Sequence, residues 1–133
     1  MAQDFVIFVI DDDESVRDSL RDLLEAHQYR VKAYGSGAAF FEDYAGLSGG
    51  RRKGCVVADF DLPVLTGLQV LERLRQQGSP LPVIIITGRS DSTLRGMAHR
   101  AGAVAFLEKP FPYDALLAAI EEIQQADGAP TPV

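Results

Sequence analysis

The chain has 133 residues, with 13 Lys plus Arg against 19 Asp plus Glu and a net charge of −6. That length fits one globular domain, its 47% hydrophobic content is too rich for a disordered chain, and the acidic balance argues against gripping nucleic-acid phosphates. One cysteine excludes a disulfide framework or a multi-Cys zinc site, and no apolar run approaches the roughly 20 residues of a membrane helix.

Phe5 to Ile10 is the first apolar run. It has no basic region ahead of it and three aspartates directly behind, so it reads as a strand rather than a secretory signal, and a cytoplasmic location is expected. Val16, Leu20, Leu23, Leu24 and His27 follow at helical spacing, opposite Arg17, Asp18, Arg21, Asp22 and Glu25. Tyr29 to Tyr34 alternates apolar and polar residues, as a less buried strand does. Ser36 can cap a second helix that turns Phe40, Phe41 and Tyr44 inward. The stretch from Gly46 to Lys53, with its basic triplet Arg51-Arg52-Lys53, reads as a solvated loop.

Cys55 to Ala58 and Val83 to Ile86 are short, continuous and rich in β-branched residues, which suits strands buried on both faces. Cys55 is expected as a small core residue. Leu68, Leu71 and Leu74 mark a third helix. Leu94, Met97, Ala98 and Ala101 mark a weaker fourth over Asp91 to Ala101, with Gly96 inside it costing roughly 1 kcal/mol against Ala. Val104 to Leu107 is a fifth strand. Tyr113 marks the start of a fifth helix carrying Leu116, Ala119, Ile120 and Ile123. His27 and His99 have no partner spacing and read as structural or surface residues. Residues 1–124 are expected to form the domain, and residues 125–133, which gain Gly and Pro, a flexible tail or the start of a linker.

Strand and helix alternate five times, which predicts an open α/β fold: a five-stranded parallel sheet with helices on both faces. In such sheets ligands bind outside the carboxyl ends of the strands. Here those ends carry Asp11-Asp12-Asp13, Asp59, Thr87-Gly88 and Glu108-Lys109-Pro110. Singly each has an ordinary explanation: Asp12 or Asp13 can cap the first helix, Asp59 can open a turn, and Lys109 can be a surface charge. Together they are harder to dismiss. Carboxylates converging on one edge repel one another, and burying them unpaired costs several kcal/mol. A divalent cation relieves that cost, and an all-oxygen set with open positions suits Mg²⁺. A hydroxyl and an ammonium complete the parts needed to hold a phosphoryl group, which a carboxylate can accept covalently.

At these residues the chain resembles the CheY-like receiver domains of bacterial two-component response regulators. The resemblance covers about residues 5 to 124 and rests on Val9 to Asp13, on Val57 to Pro63 with Thr66-Gly67, on Ile86-Thr87-Gly88, and on Lys109-Pro110-Phe111. Asp13 to Arg17 and Phe106 to Phe111 look most like the FixJ branch, whose members usually attach the receiver to a C-terminal helix-turn-helix. The resemblance implies the flavodoxin-like strand order 2-1-3-4-5. It implies that Asp59 is the phosphoacceptor, and that Asp12 and Asp59 bind Mg²⁺ directly, Asp11 through water and Asp61 by its backbone carbonyl. It implies that Thr87 and Lys109 contact the phosphoryl oxygens, that Phe106 is an aromatic switch, and that Lys109-Pro110 is a cis bond.

The implied partners are a sensor histidine kinase, a C-terminal output domain if the chain is a fragment, and a second copy of the chain on phosphorylation. No membrane and no direct nucleic-acid contact is expected. The implied activity is that of a switch, with any self-dephosphorylation acting as a timer. Asp61 is individual to this chain, and its side chain is expected, exposed, to overlook the path of water to the phosphoryl group.

Three rival readings remain. Asp59-Phe60-Asp61 also resembles the Asp-x-Asp signature of haloacid-dehalogenase-type phosphatases, in which Asp61 would be the general acid/base, but that reading leaves Asp11 and Asp12 unexplained. A flavodoxin-like cofactor carrier would need a phosphate-cradling loop where three aspartates stand. A degenerate receiver, used only for interaction, would not need the full set of acidic pair, acceptor, Thr and Lys.

Overall fold

In the computed structural model, which describes residues 5–46, 53–89 and 91–128, strand and helix alternate throughout. The order is β1 (Phe5–Ile10), α1 (Glu14–Ala26), β2 (Arg30–Tyr34), α2 (Gly37–Gly46), β3 (Lys53–Asp59), α3 (Gly67–Gln76), β4 (Val83–Thr87), α4 (Ser92–Ala101), β5 (Ala105–Glu108) and α5 (Tyr113–Gly128). The five strands are parallel in the order β2-β1-β3-β4-β5, as expected. Residues 47–52 of the expected basic loop lie outside the described residues.

The continuous apolar runs follow from this topology. β1, β3 and β4 lie inside the sheet with helices on both faces, so nearly every residue in them is buried. Alternate side chains then feed two separate cores. Val6, Phe8 and Ile10 join Val56, Ala58, Val83 and Ile85 on the face covered by α2, α3 and α4. Phe5, Ile7 and Val9 join Cys55, Val57, Ile84 and Ile86 beneath α1 and α5. Each fully buried Leu, Ile or Phe contributes about 1.5–3 kcal/mol. The edge strands β2 and β5 are half-buried, which is why β2 alternates in sequence.

Phe8 packs edge-on against Phe40 and Tyr44, with ring centroids 5.5 and 5.9 Å away. The aromatic stripe predicted for α2 therefore anchors that helix to β1. Leu116, Ile120 and Ile123 of α5 are buried as predicted, and so is Cys55.

Four details differ from the sequence expectation. β5 is shifted by one residue, ending at Glu108 rather than Leu107, because Glu108 continues the ladder opposite Thr87. Met97 is exposed, so α4 rests on the buried Leu94 and Ala98 with the half-buried Ala101. His27 faces solvent as the C-cap of α1, its ring nitrogen 3.0 Å from the Leu23 carbonyl oxygen. Helical backbone continues past Ile123 to Gly128, beyond the last inward apolar residue, and residues 129–133 lie outside the described set. Among the described residues, no helix is long and apolar enough to cross a membrane.

Gly54 shows how closely β3 approaches β1. It pairs with Val6, and a β-carbon on it would lie 1.9 Å from the Val6 carbonyl oxygen. Only a moved strand could accept that atom. Gly54→Ala should therefore lower stability by about 2 kcal/mol or more, toward the upper range for overpacking. A urea midpoint unchanged from that of the parent chain would show that β3 is not held this close.

Candidate functional site

Because all five strands are parallel, their carboxyl ends lie at one edge of the sheet. Asp11 directly follows β1, Asp59 and Thr87 are the last residues of β3 and β4, and Lys109 follows β5. Asp11 and Thr87 are 0% exposed and Asp59 5%. Asp12 is exposed beside them, and carboxylate oxygens of Asp11, Asp12 and Asp59 lie within 4.8 Å of one another. Of the two candidates for capping α1, Asp13 takes the task. It accepts from the Ser15 and Val16 backbone N–H groups at 2.9 and 3.4 Å and from the Ser15 hydroxyl at 2.7 Å, which leaves Asp12 to the cluster.

The Lys109 ammonium sits 3.2 Å from Asp11 Oδ2 and 3.4 Å from Asp59 Oδ2, and serves both carboxylates. Burial alone would pull the Lys109 pKa down, but the two carboxylates outweigh it and hold the ammonium above its ordinary range. Asp59 is displaced upward instead. Burial is the main cause and the Asp11 charge adds to it, against the opposing pull of Lys109 and of the Asp61 N–H that donates to Asp59 Oδ1 at 2.9 Å. Asp59 is thus a carboxylate whose electrostatic load is only partly relieved by its partners. The all-oxygen donor set fits a hard cation such as Mg²⁺.

The loop beyond Asp59 is folded tightly against it. Gly67 opens α3 so close to the strand end that a β-carbon there would lie 2.7 Å from the Asp59 carbonyl oxygen. Thr66 and Gln69 close a reciprocal capping box at that point. Between them and Asp59, Val64 is fully exposed with φ 68°, a conformation that β-branched residues rarely adopt. Lys109-Pro110 is cis, as the resemblance implied.

Asp61 is exposed, as expected, and is also held by partners that the sequence did not indicate. Its side chain is not a loose carboxylate in solvent but accepts three hydrogen bonds: from Thr87 Oγ1 at 2.9 Å onto Oδ2, and from Arg89 Nε and Nη2 at 2.8 and 2.6 Å onto Oδ1. Burial would raise its pKa, but the Arg89 and Thr87 hydrogen bonds, with the Arg89 charge, hold it below the usual carboxylate range. Arg89 also lies over the Phe60 ring, 5.6 Å from its centre. Sequence reading did not single out Arg89, because nothing about a lone arginine two residues past Thr87 indicates a partner 28 positions upstream.

Two further arginines were missed in the same way. Arg17 donates to the Asp11 carbonyl oxygen at 2.8 Å, tying α1 to the site. Arg95 of α4 lies over the half-buried Phe106 ring at 4.8 Å and bridges to Glu108 at 2.9 Å. Phe106 therefore joins β5 to α4, where a switch residue would need to be.

Residues 7–121 match the family model of the response regulator receiver domain. The chain is 45% identical over 124 residues to the transcriptional regulatory protein FixJ of Bradyrhizobium diazoefficiens, covering 92% of this chain and 58% of that relative. It spans little more than half of such a relative's length. Among solved structures it is similar to full-length FixJ from B. japonicum, with a TM-score of 0.82 and 42% identity over 94% of this chain and 60% of that one. A receiver domain protein from Clostridium thermocellum matches with a TM-score of 0.84 and 25% identity, over 92% of this chain and 96% of that one.

The load on Asp59 has a thermodynamic consequence. A carboxyl whose folded pKa lies above its unfolded value costs stability once pH rises through that window, and the cost is absent below it. Asp59→Asn should therefore raise the melting temperature at pH 7 without added divalent cation. The gain should shrink as pH falls through the carboxylate range. An equal gain at pH 7 and at pH 4 would show that the Asp59 charge is not its source.

Proposed function

This chain belongs to the response regulator receiver domain family and is FixJ-like, and from that premise we propose that it is a phosphorylation-operated switch with Asp59 as phosphoacceptor. The observation that carries this reading is the convergence of Asp11, Asp12, Asp59, Thr87 and Lys109, from the ends of four strands, on one edge. An Asp59 oxygen attacks the phosphorus of a phosphohistidine on a sensor kinase. The O–P bond forms as the N–P bond breaks, and the freed imidazole leaves with the electron pair and takes up a proton from water. Lys109, already between two carboxylates, follows the negative charge onto the phosphoryl oxygens, and the Thr87 hydroxyl donates to one of them. Asp11, Asp12 and Asp59, with the Asp61 carbonyl, would hold Mg²⁺, which supplies neutralisation of the phosphoryl charge.

A groove of about 330 Å³ opens beside Lys109, lined by Ser15, Val16, Ser19, Leu20, Pro110 and Phe111 among others. It gives a kinase helix a partly apolar place to dock at the mouth of the site. Readout runs the other way, through Phe106 into α4. The exposed Met97 and Val104 on that side supply apolar contact for an output domain or a second copy of the chain. The length difference from the FixJ relatives supports a C-terminal output domain, and their role as transcriptional regulatory proteins supports a transcriptional one, for which the family resemblance suggests a helix-turn-helix. A cytoplasmic place of action accords with this. The phosphatase reading loses its supporting residue, since the carboxylate it needs as general acid/base is engaged by Thr87 and Arg89.

Incubation with Mg²⁺ and acetyl phosphate should add one phosphoryl group, seen as one mass increment that alkali removes, and Asp59→Asn should abolish it. Labelling that persists in that variant would remove Asp59 from the role. Phosphorylation should also shift amide resonances beyond the site, through Thr87 and Phe106 into α4. Shifts confined to residues 11–13 and 59–61 would show that the signal is not transmitted.

A further inference from the structure

A threonine hydroxyl has one hydrogen to donate. In this structure Thr87 gives it to Asp61 Oδ2 at 2.9 Å, and its oxygen accepts the Arg89 backbone N–H at 3.1 Å. Both capacities of the hydroxyl group are thus in use, and Thr87 is completely buried. The proposed function requires the same hydrogen to go to a phosphoryl oxygen on Asp59. It cannot serve both acceptors at once.

We propose that Asp61 is a resident competitor for the Thr87 hydroxyl, clamped by Arg89, and that the phosphoryl group must displace it before the switch can move. This inference rests on the phosphoacceptor reading of Asp59 and gives Asp61 and Arg89 positioning roles within it. Three features make the competition strong. Asp61 is a carboxylate, chemically the nearest side-chain analogue of a phosphoryl oxygen as an acceptor. It is fixed in place, because Arg89 Nε and Nη2 both reach Oδ1 while Thr87 takes Oδ2. Its backbone N–H also donates to Asp59 Oδ1, so the competitor is tied to the acceptor it competes with.

The contact joins the loop after β3 to the loop after β4, and so holds together the two segments that Asp59 and Thr87 terminate. Displacing Asp61 frees Arg89 as well. Its guanidinium side chain is 60% exposed and can turn to solvent. Such a device lowers the population of the switched state in the absence of phosphate, at the expense of some affinity for the phosphoryl group. A ligand shifts a two-state equilibrium only by its differential affinity, and here Asp61 reduces that difference.

The test uses beryllium fluoride with Mg²⁺ as the phosphoryl mimic, and follows the Asp59, Thr87 and α4 amides by NMR titration of the full chain. Asp61→Ala should tighten beryllofluoride binding about fivefold, the scale of one hydrogen bond, if the hydroxyl is released. Removing a negative charge beside the site would tighten binding too, so two comparisons separate the causes. In a Thr87→Ala background, where there is no hydroxyl to release, Asp61→Ala should change the affinity less than about twofold, within the scatter expected of independent sites. Asp61→Asn, which loses the charge but keeps a carbonyl acceptor, should tighten binding less than Asp61→Ala. Arg89→Ala, which unfastens the carboxylate, should act in the same direction as Asp61→Ala by a smaller factor.

An equal effect of Asp61→Ala with and without the Thr87 hydroxyl would overturn the proposal, and so would equal effects of Asn and Ala at position 61 or weaker binding in Arg89→Ala. Failure of the parent chain to bind beryllofluoride at Asp59 at all would instead overturn the phosphoacceptor reading on which it rests.

Discussion

The Lys109 ammonium, 3.2 Å from Asp11 and 3.4 Å from Asp59, is the contact on which this edge of the domain depends. Both carboxylates are buried, and burying a charge without a partner costs several kcal/mol. One cation shared between two anions leaves the cluster with net negative charge. The fold holds this arrangement by brute topology. Asp11 and Asp59 leave adjacent paired strands whose every neighbour is packed, so neither can withdraw without breaking the β1–β3 ladder. The price is an Asp59 displaced upward in pKa and eager for positive charge, which is the condition a cation site and a phosphoryl acceptor both require.

Much of this was legible in the sequence because parallel topology converts linear position into spatial position. A residue that directly follows an apolar β-run must lie at the carboxyl edge, whatever the loops do, so Asp11, Asp59, Thr87 and Lys109 could be assigned to one place before any contact was known. The same logic found the strand order only through the family resemblance, since alternation alone leaves several right-handed windings open. Element boundaries were less legible. The one-residue offset of β5 depends on Glu108 pairing opposite Thr87, a register that local pattern does not encode. The continuation of α5 to Gly128 was missed because the apolar period stops at Ile123, the last buried apolar residue of the helix.

What stayed hidden was the behaviour of long polar side chains. Arg17, Arg89 and Arg95 each reach across to a segment other than their own, meeting Asp11, Asp61 and Phe106 respectively. Their reach comes from flexible stems that no periodicity describes, and their partners are chosen by charge once the backbone is in place. Asp61 illustrates the point most directly. Its position two residues past Asp59 suggested an exposed carboxylate, which it is, but the fold also brings Arg89 and Thr87 within hydrogen-bond distance of it. Local sequence could place the backbone of residue 61 at the mouth of the site, but the direction of its side chain was decided 28 residues away.

The two halves of the sheet edge are therefore wired differently. Asp11, Asp59 and Lys109 sit at the ends of β1, β3 and β5 and are joined by a cation that must follow any new negative charge on Asp59. Thr87, Asp61 and Arg89 belong to β4 and the loops beside it, and are joined by hydrogen bonds that a new acceptor on Asp59 would compete for. The halves are joined by the Asp61 N–H to Asp59 Oδ1 at 2.9 Å and by the Lys109 N–H to the Thr87 carbonyl oxygen at 2.6 Å. In the proposed switch a phosphoryl group on Asp59 would act on both at once, pulling Lys109 toward it and drawing the Thr87 hydroxyl away from its present partner. The second lies on β4, whose Ile85 pairs with Phe106 of β5, the residue that carries the Arg95 contact into α4. On that side α4 is fastened lightly, by Leu94, Ala98, the half-buried Ala101 and one arginine, with a glycine in its interior, and low local stability is what the proposed switch would need there.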